Sequence, residues 1–312
     1  MKIKGDPDGG RLAAKKDNLR LRARIIQSIR NFFAFRDYLE IDTPNRIPAP
    51  APEAHIDAFP SGEWFLHASP ELCMKRLLSS GYARIFQICK CYRGAERGER
   101  HLPEFTLLEW YRADADYYGL MEECEDLLLH LARVLSGGAS LLFRGERISL
   151  EKPWARMTIR DVFTRYSPVP LEDALVSGNF DEIMAFEIEP RLPKEKPTFL
   201  YDYPVSLGAL ARAGRSDHTV AERFELYLGG VELVNAFSEL TDPDEQKRRF
   251  ELEKKCRLLR GGVIYPDPVK FLECLPQMPE SAGAALGLDR LVMIFCDAEK
   301  IDDVVAFTPE EL

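Results

Sequence analysis

Apolar residues recur at helical spacing early in the chain, where Leu21, Ile25, Ile29, Phe32 and Phe33 share one face and basic side chains cover the other. Asp17 is a candidate N-cap for this helix. An extended segment runs on to Pro44 and is followed by a proline-rich loop, Pro48-Ala49-Pro50-Ala51-Pro52. Ser69-Pro70-Glu71 opens a second helix through Leu78, with proline in the first turn, where its missing N–H does no harm. The pattern then changes to a period of two. Ile85–Tyr92 and Phe105–Tyr111 are rich in β-branched and aromatic residues, and Gly94, Gly98 and Pro103 mark the loop between them. In the second of these strands Phe105, Leu107, Glu109 and Tyr111 point to one face. Tyr117–Leu135 returns to helical spacing and is stopped by Ser136-Gly137-Gly138. Residues 150–195 are mixed, with a further helical stretch, and read as an insertion. Lys196–Tyr203 and Phe224–Leu240 read as strands, the latter folded at Gly229-Gly230. Helices alternate irregularly with hairpins, not in βαβ units. The pattern predicts an α+β fold with an antiparallel β-sheet flanked by helices.

The 312 residues are 46% hydrophobic, enough for one large core or two modest ones. A net charge of −9 argues against tight nonspecific binding to nucleic acid, which depends on basic side chains neutralising phosphates. No apolar run approaches the roughly 18–20 residues that span a bilayer, and the N-terminal MKIKGDPDGG has no apolar signal region. Seven cysteines without a regular framework suit a reducing compartment, so a cytoplasmic protein is expected. Cys89 and Cys91 form a C-x-C pair on one face of a strand. With no Cys or His close by in sequence, they read as core thiols.

Candidate chemistry concentrates between Cys91 and Tyr111, CYRGAERGERHLPEFTLLEWY. The loop carries Arg93, Arg97, Arg100 and His101, a density of cationic donors suited to a polyphosphate. An aromatic ring, a carboxylate and a phenol line one strand face beside it, an arrangement able to hold a nucleotide next to an amine. An arbitrary loop of this charge would only be solvated.

This loop is not arbitrary. Arg93 followed by HLPEFTLLEWY resembles motif 2 (about 85–111) of the class II aminoacyl-tRNA synthetases, in the form found in lysyl-tRNA synthetases and their shorter relatives. FRDYLEIDTP, Phe35 to Pro44, resembles motif 1 (about 22–44), and GAALGLDR, Gly283 to Arg290, resembles motif 3 (about 283–297). ELVNAFSEL, Glu232 to Leu240, resembles the lysine-binding strand of that subgroup. The similarity runs from about Lys15 to Phe307. It implies the class II catalytic-core fold as a single domain over residues 1–312, with a probable insertion at about 150–195. Motif 1 falls within the first 45 residues, so no anticodon-binding barrel is expected ahead of it.

The resemblance also implies a reaction, attack of an amino-acid carboxylate on the α-phosphate of ATP to give an aminoacyl-adenylate and pyrophosphate. The carboxylate is already a nucleophile, so the protein's task is to align reactants and stabilise charge on phosphate oxygens. By resemblance Arg93 and Arg290 are the catalytic cations. Arg93 is placed at the α-phosphate and Arg290 at the γ-phosphate, with Phe105 stacked on the adenine and Arg100 and His101 on the outer phosphates. Gly94, Ala95, Leu102, Glu232, Leu233 and Gly287 complete the ATP-binding set. Glu225 and Glu232 match two acidic metal ligands, and their hard oxygens suit Mg²⁺. Strict alternation puts Glu232 on the face opposite Asn235, Phe237 and Glu239, so either a bulge follows Glu232 or the metal sits at the strand's edge. The substrate positions are Ser69, Pro70, Glu71, Glu109, Tyr111, Asn235, Phe237, Glu239 and Ala285. Carboxylates with a phenol and an aromatic wall suit a flexible cationic chain, and lysine better than arginine.

The chain departs from the family pattern in three places. Arg93-Gly94-Ala95 stands where relatives usually carry Arg-Asn-Glu, and His101-Leu102-Pro103 where they carry His-Asn-Pro. Backbone groups at Gly94, Ala95 and Leu102, and the Glu96 side chain, are the available replacements. Weaker ATP binding and loss of activity are both open outcomes. The short relatives include ligases that attach (R)-β-lysine to a lysine side chain of translation elongation factor P. This chain resembles them in length, in LLEWYR, in KEKPTF from Lys194 to Phe199, and in Ala285, where lysyl-tRNA synthetases have glycine. The resemblance therefore implies elongation factor P as acceptor, lysine or (R)-β-lysine as substrate, and no use of tRNA. A lysine-adenylating ligase with another acceptor and a catalytically weak regulatory paralogue are the alternatives. Motif 1 forms a dimer interface in the class. Phe32, Phe33, Phe35, Tyr38 and Ile41 offer more apolar surface than one helix face needs, so a homodimer is expected.

Overall fold

The structure, a computed structural model, describes residues 9–312, so most of the polar N-terminal stretch read above lies outside the described residues. The main sheet consists of β1 (Leu39–Glu40), β2 (Arg84–Tyr92), β3 (Glu104–Ala113), β4 (Ala155–Thr158), β5 (Thr198–Pro204), β6 (Val220–Leu228), β7 (Val231–Ser238) and β8 (Ser281–Gly287). Their order across the sheet is β1-β2-β3-β8-β7-β6-β5-β4. The central pairings are antiparallel, as the hairpin pattern predicts. The short edge strands β1 and β4 pair in parallel with β2 and β5. Because β8 inserts between the hairpins β2–β3 and β6–β7, three segments far apart in sequence meet on one sheet face.

Five principal helices flank the sheet: α1 (Lys16–Ala34), α2 (Glu71–Leu78), α3 (Tyr117–Ser136), α4 (Pro243–Leu259) and α5 (Leu288–Phe295). The apolar stripe of α1, with Ile25, Ile29, Phe32 and Phe33, shares one core with Leu120, Leu127 and Leu131 of α3 and Leu291 of α5. Asp17 is not the cap of α1. The N-cap is Lys15, without a side-chain hydrogen bond, and Asp17 lies in the first turn, where its charge favours the helix dipole. Asp116 caps α3 by accepting from the Gly119 N–H, and Gly137 ends it at φ +73°. The expected insertion is largely helical, with Ile159–Tyr166, Leu171–Ser177 and Phe180–Ile183 packing their own apolar cluster onto Leu200 and Tyr203 of β5.

The apolar surplus predicted for motif 1 is mostly consumed inside the chain. Phe32, Phe33 and Tyr38 are buried in the main core, and Tyr38 donates to Glu123 (2.8 Å). Ile41 packs partly buried against a second cluster. Of the five residues Phe35 alone is well exposed, at 87%, beside the exposed Leu39 of edge strand β1. The excess arose because sequence periodicity does not show that α3 lies across the same aromatic face.

Two features of the fold position the site. The β6–β7 register shifts so that Tyr227 faces Glu232 while Leu226 faces Val234, which leaves Leu233 as a bulge. The bulge resolves the alternation problem by bringing Glu232 to the same face as Asn235 and Phe237. The second feature is Asp289, 2% exposed at the start of α5. It accepts from Arg22 of α1 (2.5 Å) and from the Thr106 N–H of β3 (2.7 Å), tying together the three motif segments.

Candidate active site

A cavity of about 250 Å³ lies over β3, β8 and β7, between the 93–102 loop and the start of α5. Ser69, Glu71, Arg93, Arg100, His101, Leu102, Phe105, Glu109, Tyr111, Glu232, Leu233, Asn235, Phe237, Ala285, Gly287 and Arg290 all line it. Pro70, Gly94, Ala95 and Glu239 are not on its wall. Glu225 lines an adjoining groove that shares Glu232 and Arg223 with the cavity.

One end of the cavity is cationic. The Arg93 guanidinium lies 5.0 Å from the centroid of the Phe105 ring, and its Nε is buried without a hydrogen-bond partner. Its carboxylate contact is Glu96, at 3.7 Å. Arg290 donates to the Glu232 carbonyl (2.9 Å), to Glu232 Oε2 (3.1 Å) and to His101 Nε2 (2.5 Å). A guanidinium only donates, so His101 Nε2 accepts there and the ring is neutral. Burial, then Arg290, lowers the proton affinity of His101; burial, then Arg144 and Arg290, does the same for Arg100. Cations already crowding one another are stabilised by an incoming anion.

The loop departures are set by backbone geometry. The Gly94 N–H donates to the Asp57 carbonyl (2.6 Å), so it is not free to replace a lost side chain. A Cβ at Gly94 would sit 3.3 Å from both Cβ and O of Asp57. Ala95 adopts φ +61°, a region that disfavours glutamate. Leu102 is 4% exposed and belongs to the main core. Leu102→Asn is therefore expected to lower the unfolding free energy by about 1–3 kcal/mol, the cost of burying an unpartnered amide. Urea denaturation checks this, and unchanged stability would mean that the amide finds a partner in the site.

The other end is anionic. Ser69 Oγ donates to Glu109 Oε1 (2.6 Å) and accepts from the Glu71 N–H (3.0 Å). The Tyr111 hydroxyl donates to Glu109 Oε2 (2.8 Å). Glu239 is fully buried beside Gly283, where an added Cβ would lie 2.2 Å from the Tyr111 ring and 2.5 Å from Glu239 Oε1. Only glycine lets both side chains pass over β8 at that point. Lys75, four residues after Glu71 on α2, places Nζ 2.5 Å from Glu71 Oε1 and 2.5 Å from Glu239 Oε2. It also lies 4.9 Å from the Phe237 ring centroid. Its contact with Glu239 is close but poorly aligned, and neither Glu239 oxygen has a donor in hydrogen-bond geometry.

Glu71 and Glu239 thus share one internal ammonium, and Glu109 adds a third carboxylate whose partners are hydroxyls. Burial first, then Glu71, pushes Glu109 up to about 8. Burial likewise pushes Glu239 up to about 8, against the opposing pull of Lys75. Carboxyls whose proton affinity is raised on folding stabilise the protein most below about pH 4.5, and that contribution is lost as pH climbs through about 8. The melting temperature of the ligand-free protein should therefore fall between about pH 5 and 8. A ligand bearing ammonium groups needs the ionised carboxylates, so lysine should bind more tightly across the same rise in pH. Calorimetric titration at both ends of the range checks the sign, and affinity that falls with pH would contradict this charge balance.

The family profile of class II tRNA synthetases of the D, K and N types matches residues 10–311. The chain belongs to the class II tRNA synthetase family. It is 37% identical to the elongation factor P–(R)-β-lysine ligase of Enterobacter sp. (strain 638), across 95% of this chain and 96% of that protein. The ligase of the same name from Pectobacterium carotovorum subsp. carotovorum (strain PC1) is 38% identical, across 96% and 97%. That from Salmonella gallinarum (strain 287/91 / NCTC 13346) is 39% identical, across 95% and 96%.

The acidic residues expected to hold a metal are bound internally. Arg223 donates to Glu225 Oε1 (2.6 Å) and to Asn235 Oδ1 (3.1 Å), and the Tyr227 hydroxyl donates to Glu225 Oε2 (2.9 Å). Glu189, from the helical insertion, lies 3.2 Å from the same hydroxyl oxygen, and burial followed by Glu225 raises it to about 7. Hard oxygens that raise one another's proton affinity fit a divalent cation. Lys75, Arg223, Glu53 and Glu189 are site residues that the sequence reading missed. The signal for Lys75 was its four-residue spacing from Glu71 on one helix, and for Arg223 its place two residues before Glu225 on one strand face. Glu53, in the proline-rich loop, and Glu189 carried no pattern of their own.

Proposed function

We propose that this class II ligase activates (R)-β-lysine or lysine as its adenylate and transfers it to a lysine side chain of elongation factor P, the acceptor named in its relatives. The observation that carries the reading is the two-ended cavity, with arginines around Phe105 at one end and surplus carboxylates at the other. ATP places its phosphates against Arg93, Arg100 and Arg290 with adenine on Phe105. The amino acid places its ammonium groups beside Glu71 and Glu109 on the cavity wall, with the charge of Glu239 buried just behind them. The carboxylate so held attacks the α-phosphorus and pyrophosphate leaves, with Arg93 stabilising the developing charge. An amine of the acceptor then attacks the acyl carbon and releases AMP. Glu232 and Glu225 would hold Mg²⁺, which neutralises phosphate charge when bound. Ala285 puts a methyl group on the cavity wall, worth about 1–3 kcal/mol of discrimination near the substrate backbone.

Cytoplasmic location and a homodimer through Phe35, Leu39 and edge strand β1 belong to the same proposal. No helix among the described residues is long and apolar enough to cross a membrane. Incubation with ATP, (R)-β-lysine and purified elongation factor P, read by intact mass, tests the function. The expected result is a gain of one β-lysyl residue on the acceptor. Adenylate formed without transfer would move the acceptor elsewhere. The engagement of Gly94 by Asp57 favours one second reading, a catalytically weak paralogue, and absence of adenylate would select it.

A further inference from the structure

Cys89 and Cys91 are not the isolated core thiols that their sequence neighbourhood suggests. On β2 they stand opposite Leu107 and Phe105 of β3, so they share the sheet face that carries the cavity, one strand further out. His67 comes to them from the segment that leads into Ser69. One ring nitrogen of His67 and both sulfurs lie within 4.8 Å of one another, the one such cluster among the described residues.

The geometry is that of a ligand set. The two sulfurs are 3.9 Å apart. Thiolates bound to one tetrahedral zinc at about 2.3 Å stand about 3.8 Å apart. His67 is 1% exposed, and its Nε2 lies 2.7 Å from the Lys90 carbonyl. A carbonyl can only accept, so Nε2 carries the proton and Nδ1 keeps its lone pair. That Nδ1 is buried without a partner. Fixing one imidazole nitrogen on a backbone carbonyl while the other is left basic is how proteins orient histidines toward metals. The scaffold is already tied, since the His67 N–H donates to the Asn45 carbonyl (2.8 Å) and the Tyr92 N–H to the His67 carbonyl (3.0 Å).

We propose that His67, Cys89 and Cys91 form a three-ligand site for a thiophilic divalent ion of the zinc class, with the fourth position open. Two thiols and an imidazole select such an ion over magnesium or calcium. Binding displaces the thiol protons, since the ion takes thiolates. Its effect is mechanical, cross-linking the segment that carries Ser69 to strand β2.

Reduced, chelator-treated full-length protein titrated with Co²⁺ tests this. The expected result is one Co²⁺ per chain with a sulfur-to-metal charge-transfer band, displaced by Zn²⁺. Cys91→Ser and His67→Gln should each weaken binding by at least about 10–100-fold, the loss that even indirect partners of a metal ligand produce. Cys256→Ser, at an exposed cysteine, should leave it unchanged. A missing band, or one that survives both ligand variants, overturns the site. Should the variants fail to fold, Zn²⁺ protection of Cys89 and Cys91 from alkylation in the wild type decides the matter. Equal alkylation with and without the ion overturns the proposal.

Discussion

Arg93→Ala is expected to cut the rate of adenylate formation by about 10²–10³-fold, the usual loss when one charge-stabilising donor is removed from a transition state. The structure singles out Arg93 among the cations of the cavity. Arg290 is committed to Glu232 and His101, and Arg100 donates to the Gly230 carbonyl (3.1 Å). Arg93 rests on Phe105, with its Nε unpartnered and Glu96 only loosely engaged. Its removal loosens Glu96 and takes away the charge that opposes the burial-raised proton affinity of Glu53, so a modest loss of thermal stability should accompany the rate effect. Single-turnover kinetics at saturating ATP separates this from a binding defect. A raised KM for ATP with kcat intact would assign Arg93 to ground-state binding alone.

Glu239→Gln should weaken use of lysine or β-lysine by about 2–5 kcal/mol while barely altering ATP affinity, as expected when a buried charge loses its partner. Glu239 is fully buried and already has Lys75 beside it. The substitution therefore also removes one of two carboxylates from Lys75, which keeps Glu71. Some loss of melting temperature is part of the prediction, because breaking a buried pair destabilises. The test is the ratio of effects. If the variant loses ATP and amino-acid binding equally, Glu239 serves the fold through Lys75 and not the substrate.

Much of the site was legible because short-range rules wrote it. Alternation in β3 put Phe105, Leu107, Glu109 and Tyr111 on the cavity wall together. The Gly229-Gly230 dipeptide folded β6 onto β7 with both glycines at positive φ. The conflict between Glu232 and Asn235 in strict alternation left a bulge or an edge site open, and the register places a bulge at Leu233. What escaped the reading was set by tertiary neighbours. Nothing local shows that Asp57 captures the Gly94 N–H, or that α3 closes over Phe32 and Phe33. Nor does it show that His67 arrives beside a C-x-C pair more than twenty residues away. The substitutions Gly94→Asn, Ala95→Glu and Leu102→Asn, which the family pattern invites, also meet a backbone and core already shaped for the residues present.

The central claim is that one cavity holds ATP at a cationic end and a diamino acid at an anionic end, and joins them. ATP–pyrophosphate exchange with purified protein tests it most directly, with (R)-β-lysine, lysine and norleucine compared as the amino acid. Exchange should depend on (R)-β-lysine or lysine, be absent with norleucine, and collapse in Arg93→Ala. Exchange supported equally by norleucine, or no exchange with any of the three at saturating ATP, would contradict the claim.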